Sequence, residues 1–596
     1  MSSTSKGQSS LDPQAAVLFV VLGLVLGSAA AVNVALRVGN WWEGNGHDVP
    51  ANPMTVLIQV LTGDIAWPRA ATMFLAAAVL ALLLLGSLVL WLVLRGRGKR
   101  SRVDRAARHM GRGRDVEALG ERAATATAQR LGVNAPGLPI AASVATGQTL
   151  YASWEDVSVD IWGPRTGKTT SRAIPAILTA PGAVLATSNK RDLADATRDL
   201  RAGVGPVWVF DPQGIVEEPA TWWWNPLSYV TDEVKASVLA DLFASASREP
   251  GSRTDAFFDP AGTDLLAGML LAAALDERPI TQVYLWLTDP TEDEAVALLI
   301  RYGHPLIAAN VNAVISSPEK QRAGVYGTAK QRVSFLTNRQ AVHWVVPDGP
   351  TDRRRQFSPS DFVRSRSTLY SLSREGNGSA GPLVTALTVA VCEAAEDLAK
   401  RSAGGRLPVP MVAVLDEAAN VCRWRTLPDI YSHYGSRGIC LMTILQSWSQ
   451  GVEVWGREGM RKLWSAANVK VYGGGVSEVE FLQEVSQLVG DFDVTQVSTS
   501  YGKGGRSTSR STRRERILDV ADLGSLPKGR AVVLASGSRP TLARTIPWMA
   551  GPHAEQVAAS IQAHDPGAHD TLSQAYESLH QVQQREEHGV AAQEVP

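Results

Sequence analysis

Cysteine is scarce in this chain of 596 residues. The three present, Cys392, Cys422 and Cys440, are widely spaced and form no CxxC pair. A disulfide framework and a cysteine metal cluster are thereby excluded, and reduced thiols in a cytosolic core are expected. Net charge is missing as well, since 58 basic residues balance 58 acidic ones. Any contact with nucleic acid must therefore come from local patches and not from an overall positive field. Lysine and arginine are absent from residues 38–68, and residues 70–94 carry no charge at all. What the chain does have is length, too much for a single core, so two or three domains are expected.

Two long apolar stretches stand near the N-terminus. Ala15 to Val38 is interrupted only by Ser28, Asn33 and Arg37, and Ala70 to Leu94 contains Leu82-Leu83-Leu84-Leu85. Each is long enough to span about 30 Å of hydrocarbon as a helix. The first is too long for the apolar region of a signal peptide, and a second follows it. Directly after Leu94 come Arg95, Arg97, Lys99, Arg100, Arg102, Arg105, Arg108, Arg112 and Arg114. The positive-inside rule puts this run in the cytoplasm and the loop 39–69 outside, with Trp41, Trp42 and Trp67 at the outer interface. The reading is a two-helix transmembrane anchor (15–95) in the cell membrane, multi-pass, with a large cytoplasmic domain. Residues 1–14 are expected to be disordered and 96–149 a basic cytoplasmic linker. Beside a membrane helix such a run serves topology and anionic-lipid contact, and a DNA-binding arm is the other reading.

From Leu150 onward the texture is α/β. Val157 to Ile161 is a β-branched run ending in a turn with Gly163, Pro164, Arg165, Thr166, Gly167, Lys168, Thr169 and Thr170. A helical stretch follows. Strand, tight loop and helix in that order make a phosphate cradle from loop N–H groups and a helix N-terminus. Lys168 would reach the β- and γ-phosphates, and the Thr169 hydroxyl would help hold Mg²⁺. The P-loop pattern asks for glycine at 162, where this chain has Trp162. A chance Gly-Lys-Thr turn beside a strand is the bland alternative.

Further strands are expected at 182–188 and 207–211, and alternation with helices implies a mostly parallel sheet covered on both faces. Between about 232 and 345 the strand signal fades and helical spacing takes over, which predicts an inserted all-α domain. The α/β domain is then expected over 150–231 and 346–550. Val409 to Leu415 is an apolar strand closed by Asp416 and Glu417. A buried strand of that kind delivers Asp416 to a Mg²⁺ shell and Glu417 to the attacking water. The same residues also suit a helix N-cap, with Asp416 capping. Another strand, Gly438 to Leu445, ends in Gln446, whose amide can bind the γ-phosphate or the water. Arg437, just before it, is a candidate arginine finger for a neighbouring subunit, or equally a structural residue.

At this point the chain resembles the type IV secretion coupling proteins, the VirD4/TraG/TraD family of conjugative DNA pumps, and in particular actinobacterial TraG-like members. The residues that carry the resemblance are Gly163–Thr169, Thr187–Lys190, Val209–Pro212, Trp224–Leu227, Thr368–Tyr370, Leu415–Asn420, Tyr434–Ile439 and Gln446–Gln450. It implies a RecA-like ATPase domain interrupted by an all-α domain, with ATP and Mg²⁺ at the interfaces of a homo-hexamer. It implies a central channel for single-stranded DNA bound to a relaxase, and delivery to the secretion channel. The sequence departs from the family at Trp162, and it keeps one arginine, Arg437, where many members carry two.

Past the site, 502–514 is rich in serine, glycine and arginine and has no apolar residue. It is expected to be a loop, either a phosphate-contacting channel lining or simply solvated. Residues 551–596 are expected to be a C-terminal tail, helical or disordered, without an apolar core. Two other functions share the motifs: a segregation or protein-secretion motor, and a membrane scaffold that binds nucleotide without turnover.

Overall fold

The computed structural model describes residues 13–44, 49–96, 101–247, 255–374, 380–502 and 505–588. Residues 1–12, Arg97, Lys99 and Arg100 of the basic run, 503–504 and 589–596 lie outside the described residues. The chain divides into two compact units near residue 100.

In the first unit, helices Pro13–Glu43 and Arg69–Gly96 have 31 and 28 residues. At about 1.5 Å per residue each exceeds the ~30 Å of a hydrocarbon core. The two expected spans fall inside them. Their backbones approach closely at Gly39, where a Cβ would lie 2.7 Å from Ala71 N. Glu43 accepts a hydrogen bond from Ala70 N at 2.7 Å, placing a carboxylate at the N-terminus of the second helix, where the dipole favours it. A short helix, Pro53–Thr62, stands between them, capped by the Asn52 side chain.

The second unit is built on one large sheet. Its strands, with two smaller pairs, are in chain order β1 (Leu138–Ser143), β2 (Thr149–Ala152), β3 (Ser158–Ile161), β4 (Val184–Ser188) and β5 (Val207–Phe210). Next come β6 (Trp222–Trp223), β7 (Arg355–Gln356), β8 (Thr368–Leu372), β9 (Met411–Leu415) and β10 (Ile439–Leu445). The last are β11 (Val469–Tyr472), β12 (Asp491–Gly502), β13 (Gly505–Arg516), β14 (Arg530–Ala535) and β15 (Thr541–Arg544). The main sheet runs β2-β1-β15-β14-β11-β3-β10-β9-β4-β8-β5. From β11 to β5 every pairing is parallel, and from β11 to β2 every pairing is antiparallel. Strands β3, β9 and β10 are buried along their whole length, as parallel strands covered on both faces must be.

Helices fill most of 233–343, between β6 and β7. Their centre is Phe258–Leu275, a helix long and apolar enough by length and composition to cross a membrane. Half of that stretch is buried inside the protein, and Leu266, Met269, Leu270 and Ala272 are fully covered. It is a core helix.

Three expectations change. Residues 101–149 are no mere linker: β1 and β2 extend the sheet, and Asp104 pairs with Arg530 at 2.7 Å. Arg102 of the basic run pairs with Asp519 at 2.9 Å and Asp522 at 3.2 Å, acids far away in the chain. Residues 505–514 are strand, not the expected loop, because β12 and β13 pair residue for residue from Asp491–Arg516 to Gly502–Gly505. β-branched threonine in alternation supports an extended ribbon without any apolar stripe. The C-terminal stretch is also folded. Helix Ala554–His564 buries Val557 and Ile561, and Ser560 Oγ donates to Asp195 O at 2.6 Å.

Candidate nucleotide site

The site lies at the C-terminal ends of the parallel strands, where such sheets hold ligands. β3 leads into the loop 163–168. Arg165 (φ 60°) and Gly167 (φ 95°) adopt left-handed backbone, the kind of local reversal that turns successive N–H groups toward one point. Pro164 and Arg165 are exposed at the tip, while Thr166 Oγ1 donates to Gly163 O at 2.6 Å and Thr170 Oγ1 to Gly167 O at 3.1 Å. Thr169 opens a single π-helical turn, Thr169–Ala173, before the helix proper. Such turns recur at functional sites.

The departure at Trp162 has a packing explanation. The indole is fully buried, and a Cβ on Gly473 would sit 2.0 Å from its ring. Gly163 then passes so close to the backbone of Gly475 that a Cβ would meet its carbonyl oxygen at 1.9 Å. Glycine is therefore obligatory at 163, and the bulky residue before it faces the core.

The strand order determines what meets the loop. β10 separates β3 from β9, so the tips of three adjacent strands present Lys168, Gln446 and the Asp416–Glu417 pair. Lys168 Nζ donates to Asp416 Oδ1 and to Glu417 Oε1, both at 2.7 Å. Gln446 Nε2 donates to the same Glu417 oxygen at 2.6 Å. The other Glu417 oxygen accepts from Asn420 Nδ2 at 3.3 Å and Asn189 Nδ2 at 3.5 Å. Glu417 takes a left-handed backbone conformation (φ 54°), which costs a non-glycine residue roughly 1 kcal/mol or more and is typical of functional positions.

The electrostatics set the two acids apart. Burial raises the Asp416 carboxyl, with Lys168 opposing, and the net is upward. Burial also acts on Glu417, but Lys168, Gln446 and Asn420 outweigh it and its carboxyl falls below the ordinary range. Burial works against the Lys168 ammonium, yet Asp416 and Glu417 together carry it upward. Nearby, burial and the charge of Asp416 push Asp192 up to about 6.

Not every expected residue joins this group. Arg437 precedes β10 at its N-terminal end, away from Gln446, and is ion-paired with Glu396. Other residues went unsignalled in the sequence. Asn189 and Asn420 are unremarkable amides until the fold brings them to Glu417. Arg172, 1% exposed, donates to Asp160 Oδ2 at 2.6 Å and to Pro139 O at 2.7 Å, locking the loop's helix to β3. An arginine three residues after a Gly-Lys-Thr looks solvent-facing in a sequence; an acid inside a β-branched strand, Asp160, was the available hint of a buried partner.

Sheet order, loop and paired acids define a RecA-like P-loop fold with an inserted helical domain. Residues 410–528 match the family model described as the TraM recognition site of TraD and TraG. The type IV secretion system-coupling protein VirD4 of Bartonella quintana is 21% identical over 405 residues, which is 63% of this chain. The chain spans 60% of that relative's length. Two solved forms of the bacterial conjugative coupling protein TrwBdeltaN70 share the fold. The unbound form has a TM-score of 0.50 at 18% identity and covers 68% of this chain and 88% of its own. The sulphate complex has a TM-score of 0.50 at 16% identity and covers 66% and 86%. By matched segment, curated relative and fold, this chain is similar to the type IV coupling proteins.

Proposed function

We propose that the chain is a membrane-anchored, ATP-driven coupling protein that moves relaxase-bound single-stranded DNA to a type IV secretion channel. The observation that carries this reading is the convergence of Lys168 on Asp416 and Glu417, each at 2.7 Å. The similarity to VirD4 and TrwB supports the biological role.

The donor set suits Mg²⁺ with ATP. Among the described residues no group of three or more His, Cys, Asp or Glu could hold a metal by itself, and Mg²⁺ characteristically relies on one or two carboxylates plus substrate phosphates and water. Asp416 and Thr169 would hold the ion, which when bound offsets charge on the triphosphate. Lys168 would exchange its carboxylates for phosphate oxygens. Glu417, its carboxylate oriented by Gln446 and Asn420, would accept a proton from the attacking water. The loop Gly163–Thr169 with Thr170 would position the phosphates, so the catalysis is chiefly placement and charge stabilisation. Arg437 would act only on a neighbouring copy in a hexamer, and it would have to leave Glu396 to do so.

The helices Pro13–Glu43 and Arg69–Gly96 would be the two-span anchor, with Trp41 and Trp42, 78% and 68% exposed, at the outer interface. The test is ATP turnover by the full chain in detergent, with and without single-stranded DNA. DNA-stimulated turnover that vanishes in Lys168→Ala is expected. Stimulation by a protein substrate alone would favour a secretion motor, and nucleotide binding without any turnover would leave a scaffold.

A further inference from the structure

The β12–β13 ribbon makes no pairing outside itself: it is a two-stranded sheet of its own. Each strand has 12 residues, so the ribbon is about 40 Å long at ~3.3 Å per residue. Two strands without a third layer are marginally stable in water, and neither face offers the apolar stripe that would dock onto protein. Its base is seated, with Phe492 stacked on His109 at 4.0 Å between ring centroids.

Charge is divided along the ribbon by register. At the base, Arg516 lies opposite Asp491 and Arg514 opposite Asp493, with ion pairs at 2.9 and 3.7 Å. Farther out, Arg513 lies opposite Val494 and Arg510 opposite Val497. Both arginines are exposed, and neither has a carboxylate partner among the described residues. Because side chains alternate in direction along a strand, Arg510 and Arg513 stand on opposite faces. Exposed Thr495, Gln496, Ser509, Ser511 and Thr512 surround them, and no acid occurs between Val494 and Arg514.

We propose that this ribbon is a nucleic-acid arm that grips the phosphate backbone through Arg510 and Arg513, with the neighbouring hydroxyl and amide groups as further donors. Guanidinium, hydroxyl and amide donors are the chemistry of phosphate contact. An anionic membrane would call for inserted apolar residues, and a protein partner for an apolar centre. Val497 is the one exposed large apolar residue of the ribbon among those described, at 57%. The assignment rests on the DNA-handling reading above and names the element that makes the contact.

The test measures binding of the full chain in detergent to a fluorescent oligothymidylate and to a duplex of equal length, across a salt series. The variants are Arg510→Ser/Arg513→Ser and the charge-keeping Arg510→Lys/Arg513→Lys. Loss of two phosphate contacts should weaken binding roughly tenfold at low salt. The slope of log affinity against log salt should fall by about 1.4 for the single strand or about 1.8 for the duplex, which identifies the form held. The lysine variant should keep the wild-type slope, and ATP turnover without DNA should be unaltered in both. Unchanged affinity and slope in the serine variant, with DNA still bound, would overturn the arm and leave the coupling function standing. A serine variant that loses binding to anionic vesicles but not to DNA would overturn it in favour of a lipid surface. Failure of the wild-type chain to bind either DNA would remove both readings together.

Discussion

The strand tips of the parallel sheet and the β12–β13 ribbon hold their charges in opposite ways. At the tips, the charges that converge are engaged inside the fold: Lys168 with two acids, Arg172 with Asp160, Glu417 with three amides. On the outer ribbon, Arg510 and Arg513 are exposed and face uncharged residues. Buried ion pairs fix geometry and are costly to break one-sidedly, whereas exposed charges contribute little to stability and much to association. One region is therefore set by the fold, and the other is left available to a partner.

The largest effect should come from splitting the buried pair. Arg172→Ala strands Asp160 in the core and should lower stability by about 3–5 kcal/mol, read as a shift in the urea midpoint. Replacing both partners, Arg172→Met with Asp160→Leu, should recover most of that loss and still impair turnover, since the loop's helix is no longer tied to β3. Next comes Asp192. Its folded-state value near 6 exceeds the ordinary 3.8, so the folded chain binds this proton more tightly than the unfolded chain. The group therefore costs no stability below about pH 4 and progressively more as pH rises to 6, then stays level. Asp192→Asn, measured with chelator and without nucleotide, should stabilise the protein at pH 7.5 by up to about 3 kcal/mol and leave it unchanged near pH 3.5. The smallest effect belongs to the ribbon, where Arg510→Ser/Arg513→Ser should alter stability by less than about 0.5 kcal/mol. A large loss there would break the contrast, because it would mean the ribbon's arginines hold the fold.

The same contrast explains what could be read in advance. Asp416, Glu417 and Gln446 were legible because a buried strand ends just before each polar group, and Lys168 because Gly-Lys-Thr follows a buried strand; strand ends in α/β sheets are where sites form. Asn189 and Asn420 were not, since only the crossing of β4 and β9 brings amides separated by 231 positions to one carboxylate. The inserted helices showed their 3.6-residue spacing, and Phe258–Leu275 is apolar enough to mimic a span until its neighbours are seen. The ribbon was hidden because in β13 serine alternates with threonine and arginine, without the apolar period that marks a half-buried strand. In the C-terminal segment Val557, Ser560 and Ile561 carry the helical spacing, diluted among glutamine and glutamate. Arg437, whose place before β10 suited a finger or a structural role, is ion-paired with Glu396 within the chain.

Central to the account is that Glu417 acts on water while Lys168 and Asp416 hold the nucleotide. The most direct measurement is ATP binding and turnover, side by side, in the Glu417→Gln protein. Nucleotide affinity within a few-fold of wild type and turnover reduced by about a hundredfold or more are predicted, as for removal of a general base. Turnover close to wild type in that variant would contradict the assignment of this site.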